Sequence, residues 1–319
     1  MDRKTQSEIA MLVERYVADL RIFSVKKEST IAYCRSCLMH LRCYMEQGNG
    51  RNLSDFDMQE FYCFLCNEKS TKKGNPLKAS TKKNIVCQVT LFIRWYQQKY
   101  MDRQCQADCD MPRALIGTKQ EYRTDTLSDD VLSQIRDALR GETDLIVKAG
   151  VEMLLCTGIT VREFVQLKSD CLSEKEGLDY LSVGDRELPV PKHVGKMIRK
   201  QQNIQQGLCA QAVEADKERL WLYPSGNQIH CLTIPMWEYR LRRFAKAHEI
   251  RDEAGAPVML TAAMLRATFV YSLVEAQVPS VVMQYLLGHR YPESTQRQIR
   301  RFEDLVSVNA LMNEREGIA

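Results

Sequence analysis

Three groups of side chains in this sequence have types and spacings that could do chemistry. Cys34-x-x-Cys37 and Cys63-x-x-Cys66, separated by 25 residues, have the spacing of paired zinc thiolates. Lys72, Lys73, Lys78, Lys82 and Lys83 cluster around Gly74 and Pro76, just ahead of a helical pattern. Five ammonium groups beside the free N–H groups of a helix start suit the phosphates of a polyanion, and a solvated lysine face is the plain alternative. Arg297, Arg300 and Arg301 could track a phosphate strand near the chain end or simply face water.

The elements that must position these groups argue against the metal. Both cysteine pairs lie in segments with helical apolar spacing and lack the Gly/Pro knuckles that usually present zinc ligands. In a reducing compartment such cysteines read as small buried hydrophobes, so no metal and no cofactor is expected. Cys105 and Cys109, in a polar stretch, read as exposed thiols.

The apolar periodicity predicts helices over 7–23, over 30–47 with Ser29-Thr30 as cap and a stop at Gly48-Asn49-Gly50, from Ser54 or Asp55 through Leu65, and over 80–100. These form a helical domain over 1–105. The polar, irregular residues 106–126 read as a linker, and 127–319 as a second domain ending in a helix over 300–316. Within it, helices are predicted over 128–140, over 143–157 with a stop at Gly158, and from 161. A hairpin over 178–191 turns at Gly184-Asp185, and helices return over 192–205, 231–248, 261–276, 279–287 and 291–314. Trp95, Trp221 and Trp237 fall in apolar segments and read as core.

Composition agrees with this plan. Fifteen glycines and nine prolines make about 7.5% of the 319 residues, well under the usual ~12%, which disfavours turn-rich sandwiches and barrels. The net charge of +4 averages two different surfaces: residues 1–120 hold 20 Lys+Arg against 13 Asp+Glu, and the remainder is slightly acidic. The basic part reads as the module that meets a polyanion. No apolar run approaches the ~18 residues of a membrane span, and the polar start MDRKTQSE has no apolar signal core. A cytoplasmic protein without a membrane partner is expected.

Three ordered segments then carry a resemblance: Thr157-Gly158-Ile159-Thr160-Val161-Arg162-Glu163-Phe164, Ala263-Met264-Leu265-Arg266-Ala267-Thr268-Phe269, and Leu286-Leu287-Gly288-His289. With the hairpin and the N-terminal helices, they resemble the tyrosine recombinase (phage integrase) family over nearly the whole chain. The resemblance implies a mainly helical fold with a small β-hairpin or sheet: a helical, SAM-like core-binding domain followed by an α+β catalytic-type domain. It also implies double-stranded DNA as partner, in a bacterial cytoplasm at the nucleoid.

In that family two arginines clamp the scissile phosphate, a hairpin lysine and histidines move protons, and a tyrosine attacks phosphorus. Carried over position by position, Arg266 and His289 match. The first arginine falls on Thr160, the lysine on Asp185, the first histidine on Ala263 and the tyrosine on Gln298. Arg162 lies two helix positions, about 200°, from the required place. Tyr291 follows His289 too closely, and no tyrosine occurs from 292 to 319. An amide cannot form a phosphoester, so the resemblance implies DNA binding without cleavage. Lys72, Lys73, Lys78, Lys82, Lys83, Arg266, His289, Arg297 and Arg300 are the expected DNA contacts, although His289 is equally readable as a structural histidine.

Leu305, Val308, Leu311 and Met312 form an apolar stripe that could dock on a second copy, on an active recombinase, or on the chain's own core. The expected role is an accessory or architectural subunit in recombination of a mobile element, or a DNA-site regulator. Two alternatives stay open: an active recombinase with a non-standard site, and a protein-interaction module that keeps only the fold.

Overall fold

The computed structural model describes residues 3–47, 53–67, 76–100, 110, 112 and 126–316. The chain divides into two compact units, Met1–Glu121 and Tyr122–Ala319. Lys72, Lys73, Cys105, Cys109, the glycines at 48 and 50, and most of 106–126 lie outside the described residues.

Among the described residues, the first unit has four α-helices: α1 (Arg3–Phe23), α2 (Glu28–Gln47), α3 (Met58–Asn67) and α4 (Ala79–Tyr100). Their apolar stripes meet in one core that includes Val13, Tyr16, Leu38, Leu41, Phe61, Val89 and Phe92. Each such side chain contributes about 1.5–3 kcal/mol on burial. Three helix starts differ from expectation, the first lying at Arg3 rather than at 7. The second helix begins at Glu28, so Ser29 and Thr30 lie inside its first turn, and Arg21 reaches across to the Glu28 carboxylate at 3.1 Å. The third begins at Met58 because the Asp57 carboxylate, rather than Ser54 or Asp55, accepts from the Glu60 N–H at 2.7 Å. Leu53–Asp55 instead form a separate 3-10 turn. Cys34 and Cys37 are buried as expected, whereas Cys63 and Cys66 are exposed. Those two occupy the polar side of α3, so they are not core hydrophobes. Trp95 is only half-buried, because its indole N–H donates to Asp19 at 2.9 Å near the surface.

In the second unit, α5 (Asp129–Gly141) and α6 (Leu145–Thr157) lead into the short α7 (Val161–Val165). Asp144 caps α6 through the N–H groups of Ile146 and Val147 at 3.0 and 3.4 Å. The expected hairpin is present and gains a third strand. β1 (Leu172–Lys175), β2 (Leu178–Val183) and β3 (Arg186–Val190) form an antiparallel sheet in that order. After α8 (Lys192–Leu208), β4 (Leu222–Ser225) and β5 (Gln228–Cys231) make a second hairpin that the sequence reading overlooked, although its Gly226-Asn227 turn is a recognisable signal.

Thr233 caps α9 (Ile234–Ala247), so that helix starts three residues later than expected. α10 (Ala262–Glu275), α11 (Ser280–Leu287) and α12 (Pro292–Glu316) complete the unit. Phe164 is packed between Trp221 and Trp237, with ring centroids 4.8 and 4.6 Å away, at the heart of the main core. α10 has almost no polar face, because it supplies Ala262 and Leu265 to that core and Val270 to a smaller one with Met283, Leu287 and Phe302. No helix among the described residues is long and apolar enough to cross a membrane.

Candidate functional site

Arg266 is the only charged residue between Ala262 and Val274 of α10, and its half-buried guanidinium organises the site. It donates to the Gly158 carbonyl, to the Leu287 carbonyl at 3.1 Å, and towards His289 Nε2 at 3.4 Å. It thereby joins the end of α6 to the end of α11. Both helix ends are shaped for this. Gly158 terminates α6 at φ +58°, where a Cβ would fall 2.1 Å from the Phe269 ring. Burial opposes the charge on Arg266 and, with a smaller contribution from nearby Arg186, holds its pKa below the ordinary arginine value; Glu163 acts the other way.

His289 follows Gly288 at the end of α11. A guanidinium can only donate, so Nε2 accepts and Nδ1 carries the proton, donating to the Thr295 hydroxyl at 2.9 Å. Burial first, then Arg266 and Arg186, lower its pKa, so the ring is neutral near pH 7. The structure thus gives His289 internal partners on both nitrogens.

Thr160 occupies the N-cap of α7. Its Oγ1 accepts from the Glu163 N–H at 3.2 Å, and the Glu163 carboxylate returns to the Thr160 N–H at 2.7 Å, forming a complete capping box. The other oxygen of Glu163 pairs with Arg186. Arg186, whose side chain is 8% exposed, also donates to the carbonyls of Leu286 at 2.7 Å and Tyr285 at 3.4 Å. Its guanidinium lies against Gly288, where a Cβ would come within 2.5 Å of Cζ.

Sequence reasoning stopped at the neighbouring Asp185 and missed Arg186. The signal was strand alternation, which puts Arg186 in phase with the buried Leu188 and Val190. The site is therefore two guanidiniums, one carboxylate, one neutral imidazole and one hydroxyl, drawn from α7, α10, β3 and the end of α11. Such a set can hold an oxyanion.

The remaining expected residues distribute as follows. Asp185 and Ala263 are exposed, and Arg162 is exposed on α7. Gln298 is half-buried on α12, with its side-chain oxygen buried and without a hydrogen-bond partner. Arg297 and Arg300 are exposed on the same helix. In the first unit Lys78 is exposed just before α4, whereas Lys82 and Lys83 are half-buried; the Lys82 ammonium lies 3.3 Å from Cys66 Sγ and 5.4 Å from the Tyr62 ring centroid. The side chains of Leu305, Val308, Leu311 and Met312 lie outside the described residues. No group of three or more metal-ligating side chains occurs among the described residues.

Comparison with known proteins follows the same outline. The chain is 24% identical over 292 residues to tyrosine recombinase XerD of Pasteurella multocida (strain Pm70), covering 89% of this chain and 91% of that protein. It is 26% identical over 296 residues to XerD of Vibrio cholerae serotype O1 (strain ATCC 39315 / El Tor Inaba N16961), covering 89% and 90%. Among solved structures, the XerH site-specific recombinase bound to a palindromic difH substrate, a post-cleavage complex, superposes with a TM-score of 0.69 at 15% identity over 97% of both chains. The Tn1549 transposon integrase in complex with circular intermediate DNA gives 0.67 at 17% identity, over 90% of this chain and 94% of that one. These likenesses give the fold. Residues 125–303, more than half of the chain, match the model of the phage integrase family, and the chain belongs to that family.

Proposed function

We propose that this protein binds double-stranded DNA with a tyrosine-recombinase fold and does not cleave it. It serves as an accessory or architectural subunit in site-specific recombination of a mobile element, or as a regulator at a DNA site. The observation that carries this reading is Gln298: an amide stands where the family's nucleophile belongs, and no tyrosine follows from 292 to 319. An amide oxygen has no labile proton and forms no stable phosphoester. Thr160, engaged as a helix cap, is a second departure in the same direction.

Binding is supported separately. Relatives by fold have structures with a difH substrate and with circular intermediate DNA. The basic first 120 residues, the exposed Lys78, Arg297 and Arg300, and half-buried Lys82 and Lys83 with Lys72 and Lys73, supply cations for phosphate contacts. The stripe Leu305, Val308, Leu311 and Met312 is the proposed docking face for a second copy or for an active recombinase. The setting proposed is a bacterial cytoplasm, on the nucleoid.

The test is a duplex nicked next to the cleavage point, which traps a covalent adduct of any active tyrosine recombinase. The expected result is duplex binding by mobility shift and no adduct after denaturing electrophoresis. A protein–DNA adduct would refute the non-cleaving reading, and the modified peptide would identify its nucleophile. No binding to any duplex at low salt would refute the DNA-binding reading and favour an interaction module.

A further inference from the structure

Two thiols share one face of α3 in the first unit. Cys63 and Cys66 stand three residues apart near the end of that helix, and both are exposed. At that spacing the Cβ atoms of an α-helix lie about 5–6 Å apart. The second thiol has a cation beside it: Lys82, in the first turn of α4, donates from Nζ to Cys66 Sγ at 3.3 Å. The same ammonium rests 5.4 Å from the centroid of the Tyr62 ring, which fixes where the charge stands. Tyr62 responds to both sulfurs. Burial first, then its hydrogen bond to Cys66 and the charges of Cys66 and Cys63, raise its pKa.

An ammonium has three donors and no acceptor, so the sulfur accepts this bond, and negative charge developing there is stabilised. Other thiols of the chain are placed differently. Cys34 and Cys37 repeat the spacing on α2 but are buried, and burial raises the pKa of Cys37. Cys209 turns to the Gln206 carbonyl at 3.2 Å. Two cysteines on a polar helix face would need no explanation by themselves. That account leaves out Lys82, whose half-buried side chain crosses from another helix to reach one of them.

We propose that Cys66 and Cys63 form an oxidisable pair that reacts with hydroperoxides, in which Cys66 is the nucleophile, Lys82 its positioning residue and Cys63 the thiol that captures the product. The Cys66 thiolate attacks one peroxide oxygen. An S–O bond forms, the O–O bond breaks, and sulfur is oxidised by two electrons. The other oxygen leaves as hydroxide or alkoxide and takes up the proton that the Cys66 thiol gave to solvent. The Cys63 thiol then attacks the sulfenic sulfur: an S–S bond forms, the S–O bond breaks, and the hydroxyl leaves with the thiol proton as water. A disulfide needs Cβ atoms about 3.5–4.5 Å apart, so closure tightens the last turn of α3. Cys66 is the last residue but one of that helix, where tightening towards a 3-10 turn is common. Nothing in this inference depends on the DNA-binding reading.

The experiment treats the full chain, reduced and freed of reductant, with hydrogen peroxide at pH 7. Aliquots are quenched with a thiol alkylator, or with dimedone for sulfenic acid, and each cysteine is followed by peptide mass spectrometry. The first product expected is a Cys63–Cys66 disulfide within one chain, and in Cys63→Ser a dimedone adduct on Cys66. Cys66 should react about tenfold or more faster in the folded chain than in urea. Lys82→Gln should slow Cys66 about tenfold, whereas Lys82→Arg should stay within about threefold of wild type, and neither should alter the rate of Cys63 in a Cys66→Ser background.

Three results would overturn the assignment and leave Cys63 and Cys66 as ordinary solvent-facing thiols. They are a Cys66 rate no higher in the folded chain than in urea, a rate in folded Lys82→Gln within about twofold of wild type, and a first disulfide formed between two chains or to another cysteine. Should Lys82→Gln fail to fold, the folded-to-unfolded rate ratio of wild-type Cys66 decides.

Discussion

Replacing Gly158 by alanine tests how tightly the Arg266 site is built into the core. Gly158 has φ +58° and ψ 22° and closes α6 by donating its N–H to the Leu154 carbonyl at 3.1 Å. A Cβ at that position would lie 2.1 Å from Cδ1 and 2.7 Å from Cε1 of Phe269. The left-handed backbone costs an L-residue roughly 1–2 kcal/mol. Displacing a packed ring adds about 1–3 kcal/mol, because close-packed cores accommodate extra atoms only by strain. The expected loss is therefore about 2–5 kcal/mol, a large share of the ~5–15 kcal/mol that holds a typical domain. Gly184 is the control: it has φ +64°, but a Cβ there meets nothing within 4 Å, so Gly184→Ala should show only the backbone part. Urea unfolding followed by the fluorescence of the buried Trp221 and Trp237 reports the second unit. Equal losses in the two variants would refute the claim that contact with Phe269, rather than backbone conformation, makes Gly158 indispensable.

Other expectations follow from the same geometry. Because the His289 pKa is lower in the folded chain than its ordinary value, the unfolded chain binds more protons just below pH ~6.5. Stability should therefore fall as pH drops through that value towards the folded pKa, and less so in His289→Gln; identical pH profiles would contradict the assignment. Burial pushes the Cys156 and Cys171 thiols up to about 12, while Cys63 and Cys66 are exposed. At pH 8 a thiol reagent should label the exposed pair within minutes and leave the other two until denaturant is added, with peptide mapping as the check. Replacing Lys72, Lys73, Lys82 and Lys83 together by alanine should flatten the plot of log affinity for duplex against log salt, by up to ~0.9 for each phosphate these lysines neutralise. An unchanged slope would assign these lysines to solvent.

Much of this architecture was legible because local signals and packing agree. Gly158 and Gly288 end their helices where the pattern breaks, and Gly184-Asp185 turns the hairpin where alternation reverses. Illegible features depended on partners far away in sequence. Ser54, Asp55 and Asp57 are all competent caps, and which one serves is decided by where Leu53, Phe56 and Met58 can be buried. Cys63 and Cys66 share their spacing with Cys34 and Cys37, but α3 turns them outward while α2 turns the other pair into the bundle. Arg186 was hidden for a related reason. Its charge marks it as a surface residue in any composition-based reading, and only the register with Leu188 and Val190, together with Glu163 from α7 and the carbonyl ends of α11, makes an inward arginine tenable.

Thr160 serves the scaffold, as the N-cap of α7. An arginine there has no side-chain acceptor and cannot cap α7, whereas threonine at an N-cap is worth about 1 kcal/mol. With Thr160 in place, one Glu163 oxygen is committed to the helix start and the other to Arg186. Placing arginine at 160 would remove the cap and put a third guanidinium near Arg186 and Arg266, with Glu163 still the carboxylate that pairs with Arg186. Under the proposed non-cleaving reading, a tyrosine at 298 alone is not expected to give cleavage, because Thr160 also departs from the family pattern. Arg186, Arg266 and Glu163 are coupled through shared neighbours, so substitutions among them should be non-additive.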